Sequence, residues 1–514
     1  MINSIRVRSK FFFIVIWLVA WIPGTSANTI DVIQDDINPV NLEIIGDAEH
    51  DKVKRGLEQQ MKLVQVISGL YRRWDVKQVP TAGLSIVVNG QAVSLRLGKA
   101  EKGIFELAST SKAFTGLLIA LLEREGVLNR QDLITRWLPE LAEHPEMGYS
   151  AIRIHDLLFH TSGIAKTTLD LLQPDTSPDA LTHLPSLLKN VPLAYPVATK
   201  EEYATLNYSL LGLVAERAAG KPFATLLREK IFLPLGMRNT TVESRVSAEK
   251  TEPLLIQGYK ISFTVALPYD APRYLQNTPA GYVQSTQQDM LIWLQFLLHQ
   301  LPLREWVTSS LAELYAALEL AQRPYAGSGK QGYAYGWDVE TDQTTYWSHP
   351  GQNPNATAYI AFDPQVGVGL ALLGNSNSPQ VIELGQSIFE YLRGASAKVL
   401  PEQFPIDMND RISTVMAAIF WLGGVLCLLM LFYKRKKKSK REIKGIGKPF
   451  FMVFIALNIL LISMLMITPP LLLGWSWSNL LVWGPLSLPV AAAGLIFFAN
   501  TINLFFFLTM KSSQ

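Results

Sequence analysis

A serine hydroxyl becomes a useful nucleophile only beside a base, with backbone N–H groups where an oxyanion will form. The run Ser109-Thr110-Ser111-Lys112 supplies hydroxyl and base within one helical turn. Residues three apart share a helix face, so the Lys112 amine can approach the Ser109 hydroxyl. A helix N-terminus there adds a positive dipole end and a free N–H. In a dry site near other cations, a lysine pKa falls and the amine can act as a base. The same spacing recurs at Ser186 and Lys189, and at Ser247 and Lys250. We read those as chance matches on exposed helix or loop. Only Ser109 follows a strand-like FELA and precedes an apolar helix, AFTGLLIALL.

Two further stretches could complete the chemistry. Tyr203 opens YATLNYSLLG. A tyrosinate, or a tyrosine coupled to a lysine, can pass the proton from nucleophile to leaving group. An isolated Tyr more commonly packs a helix start. His349-Pro350-Gly351 stands before QNPNATAYIAF. Glycine there lets a substrate backbone approach the strand, and the following N–H, of Gln352, is a candidate second oxyanion donor. A lone His-x-Gly is more often structural. The seven histidines show no H-E-x-x-H or similar spacing, so no metal or other cofactor is expected. His155 and His160 are read as core.

Something must hold these residues together. Leu84–Val88, the Asn89-Gly90 turn and Ala92–Leu97 read as a β-hairpin. Ser111–Glu125 reads as a helix ended by Gly126. TTYWSH, TAYIAF and VGVGLALL are three late strand-like runs, followed by a helix from Gln380 to Arg393. The expected fold is α/β in the α+β sense: one antiparallel sheet closed by both ends of the domain, flanked by helices, beside an all-helical region.

The chain ends are different in kind. Arg6, Arg8 and Lys10 precede FFFIVIWLVAWI and the small residues Thr25-Ser26-Ala27, the order of a secretory signal over 1–27. A working domain over 28–406 follows. Three apolar spans, 412–433, 449–470 and 480–510, are expected after it. A basic loop, 434–448, separates the first two and carries nine Lys/Arg against Glu442 alone. Between two apolar spans that run fits the positive-inside rule rather than nucleic-acid binding. The topology expected is multi-pass in a bacterial inner membrane, with the catalytic domain periplasmic. The single cysteine, Cys427, allows no disulfide framework within one copy.

Ser-x-x-Lys, then Tyr203, then His-x-Gly, in this order, resembles the serine β-lactamase/penicillin-binding-protein superfamily. HDLLFHTSGI, YSLLGLVAERAAGKPF, FLPLGM, TPAGYVQSTQQDM and GLALLGNSNS look like its class C-like branch. The resemblance covers most of 82–393. It implies that Ser109 is the nucleophile, that Lys112 and Tyr203 transfer protons, and that the N–H groups of Ser109 and Gln352 form the oxyanion hole. Two positions depart from the family pattern. Thr205 stands where the family has Asn, and His349-Pro350 replaces a Lys followed by a Ser or Thr. The second change argues against recognition of a free substrate carboxylate.

FELASTSKAFTGLL, SHPGQNPN, the membrane tail and LLVWGP resemble, more narrowly, the periplasmic peptidases of colibactin maturation. Those remove an N-acyl-D-asparagine prodrug cap from nonribosomal peptide–polyketide products. That resemblance implies an acylated peptide-like substrate, with Glu106 and Asn353 reading the D-Asn amide and Thr205, Asn277, His349 and Gly351 nearby. The structural alternative for Glu106 is a buried carboxylate paired with a lysine. The resemblance also implies a partner within the lipid, either a second copy or an exporter. A cell-wall D,D-peptidase, D-amino-acid amidase or esterase would use the same machinery. A non-hydrolytic sensor is disfavoured because the basic loop is too short for a signalling domain.

Overall fold

The computed structural model describes residues 62–510, apart from 64, 68, 71–73, 100–102, 243–254, 302–308, 324–330, 342, 401–406, 438–447 and 474–475. The expected signal sequence, the Ser247/Lys250 pair and most of the basic loop lie outside the described residues.

Asn89 (φ 47°) and Gly90 (φ 82°) form the two-residue left-handed turn that an Asn-Gly pair favours. It joins β1 (Thr81–Val88) to β2 (Gln91–Gly98). The other strands are β3 (Phe105–Glu106), β4 (Tyr259–Ser262), β5 (Val265–Pro268), β6 (Gln284–Ser285), β7 (Gln331–Ala334), β8 (Trp337–Thr341), β9 (Thr345–Asn353), β10 (Ala356–Asp363) and β11 (Val368–Gly374). Seven of them make one antiparallel sheet, ordered β2-β1-β11-β10-β9-β8-β7. Late β11 pairs with early β1, so both ends of the domain close the sheet. Two short pairs, β3–β6 and β4–β5, lie outside it.

The sequence reading found β9, β10 and β11 but not β7 and β8. Their turn is Tyr335 (φ 50°) and Gly336 (φ 94°), and tyrosine is no signal for a left-handed turn.

The chief helices are α1 (Lys112–Arg124), α2 (Thr205–Ala219), α3 (Gln287–Leu297) and α4 (Gln380–Arg393). Every residue of β1 is buried because both faces of the sheet are covered. Leu84 and Ile86 pack with Val381, Ile388 and Phe389 of α4 on one side. On the other, Val87 joins the larger core around Phe114 and Trp293, whose rings stack at 4.3 Å.

After this domain come α5 (Met408–Lys437), α6 (Lys448–Leu473), α7 (Trp477–Trp483) and α8 (Ser487–Met510). Among the described residues, two helices, not the three expected, are long and apolar enough to cross a membrane: 27 residues at Met408–Lys434 and 19 at Ser487–Phe505. Between them α6 runs 26 residues, and its apolar stretch among the described residues is the shorter Ile455–Ile467. The expected span 480–510 is broken at Gly484-Pro485. Proline lacks an N–H and forces the preceding residue extended, and Gly484 sits at φ −80°, ψ 165°.

The helices α5 and α8 pack in parallel. Asp410 meets Ser487 near their starts, and Trp421 stacks on Phe497 at 4.9 Å further along. Gly423 and Gly424 make room, since a Cβ on Gly424 would come within 2.4 Å of the Phe497 ring.

Candidate active site

Ser109 lies on a tight 3-10 turn, Ala108–Ser111, that feeds α1. The expected helix thus starts one residue later, and the nucleophile precedes it. In a 3-10 turn side chains at i and i+3 eclipse, which puts Lys112 directly over Ser109. Its Nζ stands 3.1 Å from Ser109 Oγ. The neighbouring hydroxyls are spent on structure. Thr110 Oγ1 donates to Leu107 O at 2.7 Å, and Ser111 Oγ accepts from Val283 N at 3.0 Å. Of three consecutive hydroxyls, only that of Ser109 meets the lysine.

Lys112 is fully buried, and its Nζ also donates to Ala280 O at 2.9 Å. Burial lowers its pKa to about 7, against the opposing pull of Asp338. Of the dry site and neighbouring cations expected from sequence, the dry site is what makes this amine a base. Burial likewise depresses His349 to about 3 and His160 well below the usual range, so both rings near Lys112 are neutral.

Tyr203 lies just ahead of α2. Its hydroxyl lies toward the side chains of Ser109 and Thr205, and Lys112 Nζ sits 5.1 Å from its ring centroid. Burial pushes the phenol up, and the Ser109 side chain opposes this. Tyr203 is 39% exposed, so solvent screens part of that effect. The direction still favours a neutral phenol coupled to Lys112 over a tyrosinate. The His160 ring packs 4.6 Å from the Tyr203 ring, and its Nδ1 meets Asn207 Nδ2 at 2.8 Å.

Gly351 shows why β9 needs a glycine. A Cβ there would lie 2.6 Å from Leu107 O and 3.1 Å from Ser109 N. The sequence reading gave this glycine to an approaching substrate. The structure uses it to let β9 lie against the nucleophile's own turn, beside the Ser109 N–H. Gln352 follows it on the strand, with its side-chain Nε2 donating to Asn377 O at 2.9 Å. Ala108, immediately before the nucleophile, is held at φ 48°, a conformation costing a non-glycine residue roughly 1–3 kcal/mol.

His349 is buried, with Nε2 2.9 Å from Tyr333 Oη and Nδ1 2.6 Å from Pro350 O. A proton on Nδ1 satisfies the carbonyl and leaves Nε2 to accept from the tyrosine. A neutral ring so engaged offers no cation to a substrate carboxylate.

The remaining candidates gather behind Ser109. Asn353 Nδ2 donates to Glu106 Oε2 at 2.8 Å and to Gly281 O at 3.0 Å. Glu106 also meets Arg273 Nη1 at 3.5 Å, so its cation is an arginine and not the lysine of the structural alternative. Burial raises the Glu106 pKa, opposed by Arg273 and Asn353. Asn277 Oδ1 accepts from Ser209 Oγ at 3.0 Å. Gly281 separates Asn277 from Asn353, lying against both side chains. Thr205 faces Tyr203 and not this group. A cavity of about 290 Å³ begins beside Glu106, lined also by Phe105, Gly258, Tyr269, Asp270 and Asn355.

The decoy at Ser186 and Lys189 is exposed on and just after a five-residue helix. Sequence reasoning missed Arg273, Asp338, Tyr333 and the Ala280 carbonyl. Only the HTSGI string pointed to His160, which it placed correctly in the core. Asp338 had no signal, because the pairing of β8 with β9 brings it near Lys112.

Sequence comparison places this base-activated serine in a known family. The profile named Beta-lactamase matches residues 62–392. The chain belongs to the beta-lactamase family. It is 26% identical over 471 residues to "Protein flp" of Staphylococcus aureus (strain MW2), covering 85% of this chain and 89% of that one. To "Penicillin-binding protein 4*" of Bacillus subtilis (strain 168) it is 36% identical over 150 residues, 28% of this chain and 31% of the relative. A solved structure titled "A class C beta-lactamase" superposes with a TM-score of 0.52 at 20% identity, over 62% of this chain and 92% of that one. The beta-lactamase family to which the chain belongs is one of serine hydrolases that typically work through an acyl-enzyme.

Proposed function

We propose that this family member is a membrane-held periplasmic serine peptidase that removes an N-acyl-D-asparagine cap from a nonribosomal peptide–polyketide precursor. The observation that carries the reading is the buried Glu106–Asn353 pair, 2.8 Å apart, whose Glu106 precedes the nucleophile by three residues. A carboxylate accepts from a primary amide's NH2, and an asparagine can pair with it. The neutral His349 supports the same reading, because a D-Asn amide presents no carboxylate at that strand.

In this mechanism neutral Lys112 takes the Ser109 proton as Oγ attacks the main-chain carbonyl of D-Asn. The N–H groups of Ser109 and Gln352 receive the oxyanion. Tyr203 relays the proton to the departing amine as the C–N bond breaks, leaving N-acyl-D-asparaginyl-Ser109. Water then attacks, Ser109 regains its proton, and N-acyl-D-Asn leaves.

The test incubates membranes containing the full chain with matched N-acyl-D-Asn, N-acyl-L-Asn and N-acyl-D-Leu amides, read by mass spectrometry. A site that bonds a buried amide rejects analogues lacking it strongly. D-Asn should exceed D-Leu by about a hundredfold in kcat/KM. Preference for D-Ala-D-Ala peptides or simple esters would instead favour a D,D-peptidase, amidase or esterase, the reading to which similarity with a penicillin-binding protein lends support.

A further inference from the structure

The hairpin β4–β5 turns at Phe263 (φ 56°) and Thr264 (φ 65°), two consecutive left-handed residues that are not glycine. Aromatic and β-branched residues resist that conformation, so something outside the hairpin must hold it. That group is Asp410, in the first turn of α5. Its Oδ1 accepts from Phe263 N at 2.9 Å and its Oδ2 from Thr264 N at 2.6 Å. Ser487 of α8 donates to the same carboxylate at 2.6 Å. Asp410 is 0% exposed.

Two more bonds tie the hairpin to the C-terminal helices. Lys260 Nζ donates to Leu481 O at 2.8 Å, and Leu486 N donates to Ser262 Oγ at 2.9 Å. At its open end, Gly258 and Tyr269 are joined by a 2.9 Å backbone bond, and both line the cavity beside Glu106. The Tyr269 ring is backed by Lys260 Nζ, 3.8 Å from its centroid. The lysine that anchors the hairpin to the C-terminal helices therefore also braces the cavity wall.

We propose that Asp410 is a positioning residue for substrate binding. It clamps the turn of β4–β5 to α5 and α8, and the hairpin, so fixed, forms the outer wall of the cavity beside Glu106. The cavity, which begins beside Glu106, takes a part of an amide substrate that a small acetate ester lacks. Its lining includes the Asp270 carboxylate and the Asn355 side chain, whose buried Oδ1 has no hydrogen-bond partner. Both are acceptors, so the ligand chemistry favoured is one that donates N–H. This gives the C-terminal helices a role in recognition beyond anchoring, and it rests on the reading of the chain as an amide-cleaving peptidase.

The experiment uses the full chain in lipid nanodiscs, with active sites titrated by an acylating probe on Ser109. Asp410→Ala, Asp410→Asn and Tyr269→Ala are compared with wild type on the best-cleaved acylated amide and on a small activated acetate ester that does not reach the cavity. Asp410→Ala and Tyr269→Ala should each raise KM for the amide about tenfold, with kcat per titrated site held within about threefold and the ester unaffected. Asp410→Asn keeps one acceptor and should recover part of the loss. A merely structural role would lower the titrated fraction and leave KM alone, and that result would overturn the proposal. So would equal losses on amide and ester. If the wild type cleaves amides but not those of D-Asn, the substrate reading fails while the KM comparison still decides the role of Asp410. If it cleaves only esters, both fail.

Discussion

Lys112 Nζ lies 3.1 Å from Ser109 Oγ while donating to the Ala280 carbonyl at 2.9 Å. The second contact holds the amine in place in either protonation state, so the first is free to change with pH. With the lysine pKa lowered to about 7, the amine is neutral above that pH and charged below it. The rate of Ser109 acylation should therefore rise as pH passes upward through about 7. Lys112→Arg, which cannot deprotonate, should lose that limb and cost orders of magnitude in kcat/KM. The stability sign follows the same shift. Between about 7 and the unfolded lysine pKa, the unfolded chain binds more protons, so stability rises with pH there. A pH–rate profile on an activated ester tests the first claim, and pH-dependent melting tests the second.

Ser109→Ala should abolish turnover, and Ser186→Ala should be silent because that hydroxyl is exposed on a separate helix. Lys112→Ala and Tyr203→Phe should be non-additive, since they serve one proton transfer. An active Ser109→Ala enzyme would remove the basis of the site assignment.

Gly351→Ala inserts a methyl 2.6 Å from Leu107 O and 3.1 Å from Ser109 N. Neither neighbour is a flexible side-chain end, so β9 and the nucleophile turn must separate. Displacement of about 1 Å at a reacting centre can cost a hundredfold. We expect that loss chiefly in kcat, with the protein still folded by circular dichroism. Full activity would show that β9 does not set the geometry at Ser109.

Glu106→Gln and Asn353→Ala should lose the preference for D-Asn while the enzyme still accepts a small activated ester. The two residues share one hydrogen bond, so the double variant should cost less than the sum of the two single effects. Retained D-Asn preference in both variants would return Glu106 to a purely structural role with Arg273.

A reporter active only in the periplasm should work when fused after Pro405 and fail when fused within 436–441. The basic run carries the positive charge expected on the cytoplasmic side. The reverse pattern would reject a periplasmic catalytic domain.

The sequence alone determined what was local. Spacing of three paired Ser109 with Lys112, Asn89-Gly90 set the first turn, and apolar periodicity placed α4 with both its ends. The apolar C-terminal segments announced themselves by composition. What tertiary structure decided was everything that depends on which distant segments meet. Whether Lys112 is charged depends on burial under the 278–281 segment and on Asp338, more than two hundred residues away. The purpose of Gly351 became visible only when β9 lay across the Ser109 turn. Glu106 found Arg273 and Asn353 through the β3–β6 pairing and the course of β9, which no short-range pattern records. Periodicity reports how one segment presents its own faces. The pKa of a base and the partner of a carboxylate depend on packing.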